Sequence, residues 1–310
     1  MSDVSPTKWI SEQELFIKFG YRKAIEAISH ALTGGFDPAT DKSRSFVEFA
    51  SGQGLVMPSE NAEFVGLKFV TVAPKNPAKG IPRIQGIYTL FDAKTLAPLA
   101  QCDGAALTLL RTSCVTAAMV QKLDLPESPK LVVFGSGPQA FAHILAISAV
   151  STPSGIRILA RNTPGVEKLI VDLRSHGIEA AAGSTKDLAE ADLVVTATTA
   201  REPLFAAEQV QKTAIVAAIG SHEPSARELP GNLLGIGTVF IEDRSAALRE
   251  AGDVIMAINE GFVTEEDLVE VKNLFTSEQK IDSQSLRIYK SSGMPWQDLA
   301  IFGAAYRALI

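Results

Sequence analysis

A short apolar run that breaks into glycines and restarts as a helical pattern constrains the fold of this chain most: KLVVFGSGPQA, at residues 130–140. The segment LVVF is continuous and rich in β-branched residues, which is typical of a strand covered on both faces in a parallel sheet. Gly135, Gly137 and Ala140 follow at the small-residue positions of G-x-G-x-x-G/A, which allow a tight turn, close approach of a pyrophosphate and close helix packing. The pattern predicts a dinucleotide-binding loop, with an ordinary strand-to-helix turn as the alternative.

The next strand supports this prediction and indicates which dinucleotide binds. A helical stretch at 140–150 leads through a Pro/Ser/Gly break to IRILA at 156–160, which is the spacing of a βαβ unit. Proteins that bind NAD usually carry Asp or Glu at the end of this strand, for the ribose 2′-hydroxyl. Here the strand ends in Arg161 and Asn162, and a guanidinium would pair with a 2′-phosphate. NADP(H) is therefore the predicted preference, with NAD(H) as a second option; a solvated surface arginine is the alternative.

Composition limits the classes of protein to consider. A chain of 310 residues with 46% hydrophobic and 21% charged residues is typical of a globular protein, and its length predicts two domains. The net charge of -6 argues against a nucleic-acid partner. With only Cys102 and Cys114, no disulfide framework is implied and a cytoplasmic location is expected. No apolar run reaches the roughly 18 residues of a membrane helix, so no membrane association is expected.

The sequence pattern of the N-terminal third of the chain predicts a helix followed by a mostly antiparallel sheet. Ser11 and Glu14 have the spacing of a capping box at the start of the helix. Apolar alternation at 54–58, 62–72 and 84–91 then predicts the strands.

Two cations interrupt these apolar elements. Lys68 lies within the strand FVGLKFVTV, so it either snorkels to solvent at an edge or faces a site that holds an anion. Arg111 lies in the middle of a long helical pattern of small and apolar residues at 103–123, where a guanidinium needs a carboxylate or phosphate. This helix leads into the dinucleotide-binding strand, so it is expected to bridge the two domains, with Arg111 near their cleft.

The second half of the chain continues in alternating strands and helices. Strands at 193–197 and 214–219 are followed by Thr198 and by Gly220-Ser221-His222. Because the carboxyl ends of strands in an open parallel sheet face the ligand crevice, Thr198 and His222 are candidate site residues.

Motifs spread along most of the chain resemble the ornithine cyclodeaminase and mu-crystallin family. The resemblance implies an α/β fold, with a Rossmann-type doubly wound parallel sheet domain over residues 119–285. It also implies an α+β substrate and dimerisation domain over residues 1–118, completed by residues 286–310, and a homodimer. The motifs include GLVMP at 54–58, GLKFVTVAPKNPAKGIP at 66–82, LTLLRTSCVTA at 107–117, GSHEPSARELP at 220–230, VFIEDRSAALREAGD at 239–253 and IYKSSGMPWQDLA at 288–300.

The resemblance also implies roles for individual residues. Arg44, Lys68 and Arg111 match the cationic cluster that binds the α-carboxylate of the substrate, and Thr112 matches a contact with a cofactor phosphate. The remaining dinucleotide-binding positions are Gly135, Gly137, Gln139, Ala140, Arg161, Asn162 and Thr198.

Two departures from the cyclodeaminases of this family favour a different substrate. Leu55 stands where those enzymes have the glutamate that receives the terminal ammonium of ornithine. His222 stands where they have an aspartate that holds the reacting amino group. Because a buried ammonium without its carboxylate is strongly destabilised, the site is expected to take an imine already closed into a ring.

The expected reaction is NADPH-dependent reduction of a cyclic ketimine, Δ1-pyrroline-2-carboxylate or Δ1-piperideine-2-carboxylate, to the cyclic L-amino acid. The three cations would fix the carboxylate. His222 would protonate the imine near neutral pH, unless the imine arrives protonated from water or His222 contacts the cofactor or caps the strand end instead. No metal is expected, because the histidines show no ligand spacing. Two alternatives remain open: an ornithine cyclodeaminase-type lyase with bound NAD, and a mu-crystallin-like protein that holds a ligand with NADPH without turnover.

Overall fold

The structure is a computed structural model that describes residues 6–276 and 281–310. The chain divides into two compact units, one formed by Met1–Thr112 with Gly293–Ile310 and the other by Ser113–Ser292. The sequence predicted that the first domain would resume at residue 286. The first unit resumes only at Gly293, because the strand Arg287–Lys290 still pairs within the sheet of the second unit.

A six-stranded sheet forms the centre of the first unit, in the order β1-β6-β5-β4-β3-β2. The five strands β2 to β6 pair antiparallel, as the apolar alternation predicted, and β1 adds to β6 in parallel. The strands are β1 (Lys8–Trp9), β2 (Ser45–Phe49), β3 (Gly52–Glu60), β4 (Phe64–Val72), β5 (Ile84–Asp92) and β6 (Pro98–Asp103).

The first helical segment begins at the predicted capping box. The Ser11 backbone N–H donates to Glu14 Oε2 at 3.0 Å, and the Glu14 N–H donates to Ser11 Oγ at 3.2 Å. The first turns, Glu14–Phe19, are π-helical rather than α-helical. The helix α1 (Gly20–Thr33) follows directly, and its first residue, Gly20, has φ of 80°. The π-helical start was not predicted from the sequence.

The last helix of the chain, α9 (Pro295–Leu309), packs against the sheet of the first unit. Its Phe302 ring meets Tyr88 of β5 edge to face, with 5.1 Å between the ring centroids. Asp41 caps its N-terminus, since the Trp296 N–H donates to Asp41 Oδ2 at 2.7 Å. The helix is therefore anchored at its first turn, next to Gln297 and Asp298.

The second unit contains an eight-stranded sheet whose strands are all parallel, in the order β13-β12-β14-β11-β10-β7-β8-β9. From β7 the chain proceeds outward to β8 and β9, and then returns to β10 on the other side of β7. This reversal confirms the predicted doubly wound Rossmann-type fold. The strands are β7 (Lys130–Phe134), β8 (Gly155–Leu159), β9 (Ala181–Ala182), β10 (Leu193–Thr196), β11 (Ile215–Ala218), β12 (Thr238–Ile241), β13 (Leu268–Glu270) and β14 (Arg287–Lys290).

The remaining helices connect these strands. The predicted long helix with Arg111 in its middle is present as α2 (Gly104–Lys122). The short segment Thr185–Glu190, before β10, is a 3-10 helix. Within the described part of the chain, no helix is long and apolar enough to cross a membrane. The other helices are α3 (Pro138–Ser148), α4 (Thr163–Ser175), α5 (Gly231–Leu234), α6 (Arg244–Glu250), α7 (Gly252–Asn259) and α8 (Lys272–Thr276), with 3-10 turns at Pro38–Thr40, Pro77–Lys79 and Ala207–Gln209.

Candidate active site

Lys68 is buried on the inner face of the sheet in the first unit. Only 1% of its side chain is exposed, and its Nζ lies 2.6 Å from Asp298 Oδ2 and 3.2 Å from Thr108 Oγ1. Of the two alternatives that the sequence left open for Lys68, a lysine that reaches solvent at a strand edge is therefore excluded. The partner carboxylate, in the first turn of α9, is itself fully buried.

Arg111 of α2 contacts the same turn of α9. Its Nη1 donates to Gln297 Oε1 at 3.0 Å, and its Nε lies 3.7 Å from Asp298 Oδ1. Both Arg111 Nε and Asp298 Oδ1 are buried without a hydrogen-bond partner. Two buried cations, Lys68 and Arg111, thus share one carboxylate.

The backbone of Gly293 lies between two guanidinium groups. Arg44 donates from Nη2 to the Gly293 carbonyl oxygen. A Cβ added to Gly293 would lie 2.2 Å from Arg111 Nη1, and its φ of 80° is one that other residues rarely adopt. Glycine is required here, and the structure brings together the three cations that the sequence singled out.

The electrostatics of this cluster favour a further anion. The pKa of Lys68 is lowered to about 8, mainly by burial and also by the positive charges of Arg111 and Arg44, while Asp298 acts in the opposite direction. Burial also raises the pKa of the nearby Asp41 to about 6, although Ser59 Oγ donates to this carboxylate at 2.7 Å. Cationic charge therefore exceeds carboxylate charge in the cluster.

Three residues of this cluster were not predicted: Asp41, Gln297 and Asp298. Asp298 lies in a motif that carried the family resemblance, and its position three residues after Pro295 puts it in the first turn of a helix. Carboxylates are common there because of the helix dipole. The sequence therefore gave no reason to assign it to Lys68.

Leu55 lies on the same face of the sheet as Lys68. It pairs with Val70, which is two residues from Lys68 on β4, while Met57 and Tyr88 pair directly with Lys68. Alternate residues of a strand share a face, so this face presents apolar side chains around the cationic cluster. The glutamate expected in a cyclodeaminase is replaced by a leucine on the face that carries Lys68.

The glycine loop of the second unit makes a tight turn from β7 into α3. Gly135 has φ of 120°, and a Cβ there would lie 2.5 Å from the carbonyl oxygen of Ala197. A Cβ on Gly137 would meet nothing within 4 Å, and no side chain caps the N-terminus of α3. Ala140 is fully buried beneath the turn. The loop thus leaves open space at a helix N-terminus, which favours an anion.

The other predicted dinucleotide positions lie along the carboxyl edge of the same sheet or close by in sequence. Arg161 is exposed just after β8, and Asn162 is the N-cap of α4. Thr198 follows β10, where its hydroxyl donates to Glu228 Oε1 at 2.7 Å. Gln139 Oε1, at the start of α3, is buried without a hydrogen-bond partner. Between β7 and β10 the strand order reverses, which is where open parallel sheets bind ligands.

The two remaining predicted site residues are His222 and Thr112. His222 is exposed, four residues beyond the end of β11. Thr112 belongs to the first unit rather than to the unit with the glycine loop, and its hydroxyl donates to the Thr108 carbonyl at 2.7 Å. Among residues 6–276 and 281–310, no three His, Cys, Asp or Glu side chains are grouped so that they could hold a metal ion.

Comparison with known proteins identifies the family. The sequence model of the ornithine cyclodeaminase/mu-crystallin family matches residues 9–308. The chain belongs to this family.

Its similarity to characterised members extends over most of their length. A Δ1-pyrroline-2-carboxylate reductase of Bacillus cereus is 30% identical over 278 residues, which is 86% of this chain and 85% of the relative. The ketimine reductase mu-crystallin of Mus musculus is 27% identical over 267 residues, or 85% of this chain and 83% of the relative. The fold matches that of Thermococcus litoralis Δ1-pyrroline-2-carboxylate reductase, solved with NADH and L-proline, with a TM-score of 0.87, 24% identity and 97% coverage of both chains.

Proposed function

We propose that this member of the family is an NADPH-dependent ketimine reductase, an oxidoreductase that acts on C=N bonds. Its substrate class is the cyclic imino acids, with Δ1-pyrroline-2-carboxylate and Δ1-piperideine-2-carboxylate as the leading candidates and the cyclic L-amino acid as product. The observation that carries the proposal is the excess of cationic charge in the cluster of Arg44, Lys68 and Arg111 over its carboxylates, Asp298 and Asp41. The reductases similar to this chain act on the same class of compound.

The substrate carboxylate completes the charge balance of this cluster. Arg44, Lys68 and Arg111 carry three positive charges, whereas Asp298 and, above about pH 6, Asp41 carry two negative charges. A carboxylate bound to the guanidinium groups would accept charge-assisted hydrogen bonds, which are among the strongest that proteins form. It would also fix the orientation of a planar ring, because a guanidinium binds a carboxylate through two parallel hydrogen bonds.

The reaction then requires a hydride and a proton. When bound, NADPH supplies the hydride to the imine carbon. His222 can donate a proton to the ring nitrogen near neutral pH, since the imidazole pKa is close to neutrality. Substrate that arrives as the protonated iminium needs no acid, and His222 would then contact only the cofactor.

Leu55 and His222 argue against the lyase alternative. The apolar face around Lys68 offers no carboxylate at position 55 for the terminal ammonium of a diamino acid. A primary amino group would likewise meet an imidazole at position 222 rather than a carboxylate. Both differences favour an imine whose nitrogen is already part of the ring.

Arg161 supports the proposed preference for NADPH. Its exposed side chain follows β8 at the position where NAD-binding proteins commonly have a carboxylate. The guanidinium can pair with a 2′-phosphate and has no such partner on NADH. NADH remains a weaker alternative donor in this proposal.

A homodimer accounts for an apolar face on the first unit. Val47, Phe49, Phe69 and Ile87 lie on the outer face of its sheet and are between 38% and 51% exposed. The rings of Phe49 and Phe69 both lie close to Gly54, where an added Cβ would be within 3 Å of each. Contiguous apolar surface of this kind usually marks an interface. The proposed partner is a second copy of the chain.

Phe69→Glu tests that interface. A buried glutamate on each side of a symmetric contact would oppose association through desolvation and repulsion. We expect the wild type to sediment as a dimer and the variant as a monomer at the same concentration. Val171→Glu, on an exposed part of α4, is the control and should remain dimeric. A monomeric wild type would contradict the proposal.

Gly293→Ala tests the role of the close contact with Arg111. Because the added Cβ would lie 2.2 Å from Nη1, the guanidinium must move, and misplacing a binding group by about 1 Å can cost about a hundredfold in rate. We expect kcat/KM for the imino acid to fall by about that factor, with the Kd of NADPH unchanged. The matched control is Gly261→Ala, also at positive φ but with open space around its Cβ. Equal losses in the two variants would assign the effect to backbone strain alone.

The pH dependence of carboxylate binding follows from the lowered pKa of Lys68. Below about pH 8 this lysine is an ammonium, and above it the charge is lost. Affinity for a carboxylate should therefore fall as the pH rises through about 8, by up to tenfold per unit if binding requires the ammonium.

The measurement is a calorimetric titration with pyrrole-2-carboxylate, whose charge stays constant between about pH 6 and pH 10. In Lys68→Arg the guanidinium remains charged, so the decline should disappear. An identical decline in wild type and Lys68→Arg would assign the titration to another group.

Steady-state kinetics test the proposed function as a whole. NADPH oxidation is followed with each of the two cyclic imino acids and repeated with NADH, and ammonia release from ornithine is measured in parallel. We expect oxidation with at least one ring, faster with NADPH than with NADH, and no ammonia. Ammonia release with catalytic NAD would favour the lyase. Tight binding of a carboxylate ligand with no oxidation would favour the ligand-binding alternative.

A further inference from the structure

Among the buried charged residues of the second unit, three form one network outside the glycine loop: Glu228, Asp253 and Lys290. Glu228 and Asp253 are fully buried and Lys290 is 2% exposed. They come from three separate segments: the loop after β11, the first turn of α7, and the end of β14. Burying charges is costly unless each finds its partners. Glu228 lies in the loop of residues 220–229, and Asp253 and Lys290 each contact that loop.

The Glu228 carboxylate joins the ends of two neighbouring strands. Its Oε1 accepts hydrogen bonds from the backbone N–H and the hydroxyl of Thr198, at 2.8 and 2.7 Å. Its Oε2 accepts from the Thr196 hydroxyl and from the Gly220 N–H, both at 2.7 Å. Thr196 and Thr198 lie at the end of β10, and Gly220 follows β11. One side chain therefore sets the positions of both strand ends.

Gly220 is shaped to receive this carboxylate. A Cβ at that position would lie 2.5 Å from Glu228 Oε1 and 2.2 Å from the Thr198 carbonyl oxygen. Any larger residue would push the carboxylate away from the strand ends. The position of the Glu228 carboxylate therefore depends on a glycine at position 220.

The other two charges hold the rest of the loop. Asp253 Oδ1 accepts from the backbone N–H groups of Glu228 and Leu229, at 2.7 and 2.9 Å. Lys290 Nζ lies 3.1 Å from Asp253 Oδ2 and donates to the Ser221 carbonyl oxygen at 2.6 Å. The residue after Ser221 is His222, so the ion pair ties both ends of the segment that carries this histidine.

We infer that Glu228, Asp253 and Lys290 are positioning residues that hold Thr198 and His222 in the geometry needed for hydride transfer. This inference rests on the proposed function and on the position of the carboxyl ends of β10 and β11, which in an open parallel sheet face the ligand crevice. A hydrophobic core would stabilise this sheet without three buried charges. The charged side chains add a defined backbone geometry, because each hydrogen bond specifies where a backbone N–H or carbonyl must lie. These residues touch neither substrate nor cofactor in this role.

Glu228→Gln tests the inference with little change in volume. An amide has one acceptor oxygen in place of two, so its NH2 group would face either the two donors of Thr198 or those of Thr196 and Gly220. At least one strand end must then shift. We expect kcat to fall about tenfold to a hundredfold, with the KM of the imino acid and the Kd of NADPH each within about threefold of wild type. Glu223→Gln, an exposed carboxylate on the same loop, is the matched control and should match wild type.

A kinetic isotope effect distinguishes positioning from general loss of structure. Misalignment slows hydride transfer itself, so the effect of C4-deuterated NADPH on kcat should be larger in Glu228→Gln than in wild type. A smaller fraction of folded protein would lower kcat with the same isotope effect, and that result would overturn the inference. Should Glu228→Gln fail to fold, Thr196→Val is the alternative variant, because it removes one of the four hydrogen-bond donors to the Glu228 carboxylate. Its isotope effect on kcat should also exceed that of wild type, but by less.

Hydrogen exchange tests the same inference without turnover. The amides of Thr198 and Gly220 both donate to Glu228, so they should exchange at least about tenfold faster in Glu228→Gln, while those of the first unit stay unchanged. Unchanged protection at both amides would overturn the inference. If wild type reduces no imino acid, the proposed function fails, and the exchange result still decides whether the network holds the strand ends.

Discussion

Arg111→Met is expected to lower kcat/KM for cyclic imino acids by about thirtyfold to several thousandfold, while the Kd of NADPH stays within about twofold. Truncating one partner of a buried, hydrogen-bonded charge pair costs about 2–5 kcal/mol, which corresponds to this range. The fold should survive the change, because Lys68 and Asp298 remain as a balanced pair at 2.6 Å. Steady-state kinetics and fluorescence titration with NADPH measure the two quantities separately.

Arg22→Met is the control for this variant. Arg22 is exposed on α1, so its replacement removes the same charge without touching the cluster. Its kcat/KM should equal that of wild type. Turnover by Arg111→Met at the wild-type rate would mean that the substrate carboxylate binds elsewhere.

Arg161→Asp is expected to reverse the preference between the two dinucleotides. An aspartate would repel a 2′-phosphate and could accept a hydrogen bond from the ribose 2′-hydroxyl of NADH. The loss of an arginine–phosphate pair and the gain of a like charge together should lower the ratio of NADPH to NADH efficiency about a hundredfold or more. The ratio of kcat/KM for the two dinucleotides, with the same imino acid, measures the effect.

Arg174→Asp provides a charge-matched comparison. It introduces the same change in charge on α4, at an exposed position, so it reports the general effect of net charge on dinucleotide binding. Only a small change in the ratio is expected there. If Arg161→Asp weakens NADPH and NADH equally, the basis for an NADP preference is removed.

Local rules were sufficient to predict several parts of this structure. The glycine loop followed from what each small residue permits, and the positive φ of Gly135 beside the Ala197 carbonyl is the physical reason for the first glycine. The capping box of Ser11 and Glu14 followed from spacing alone. Such features depend on residues within a few positions of one another, so the sequence contains all of the information.

Contacts between distant segments were not predictable in the same way. The unusual position of Lys68 in an apolar strand indicated a partner, but Asp298 is 230 positions away. Many carboxylates in the chain could have served. Glu228 is a similar case: it lies in a motif that carried the resemblance to the family, yet nothing in the sequence shows that its carboxylate reaches two strand ends.

The measurement that tests the central claim most directly is the fate of deuterium from NADPH labelled at both C4 positions. With Δ1-pyrroline-2-carboxylate as substrate, mass spectrometry should find proline with one deuterium at the α-carbon, in the same amount as the NADPH consumed. With the larger ring, the product should carry the label at the equivalent carbon. Proline without deuterium, or no consumption of NADPH with either ring, would contradict the assignment of this chain as a ketimine reductase.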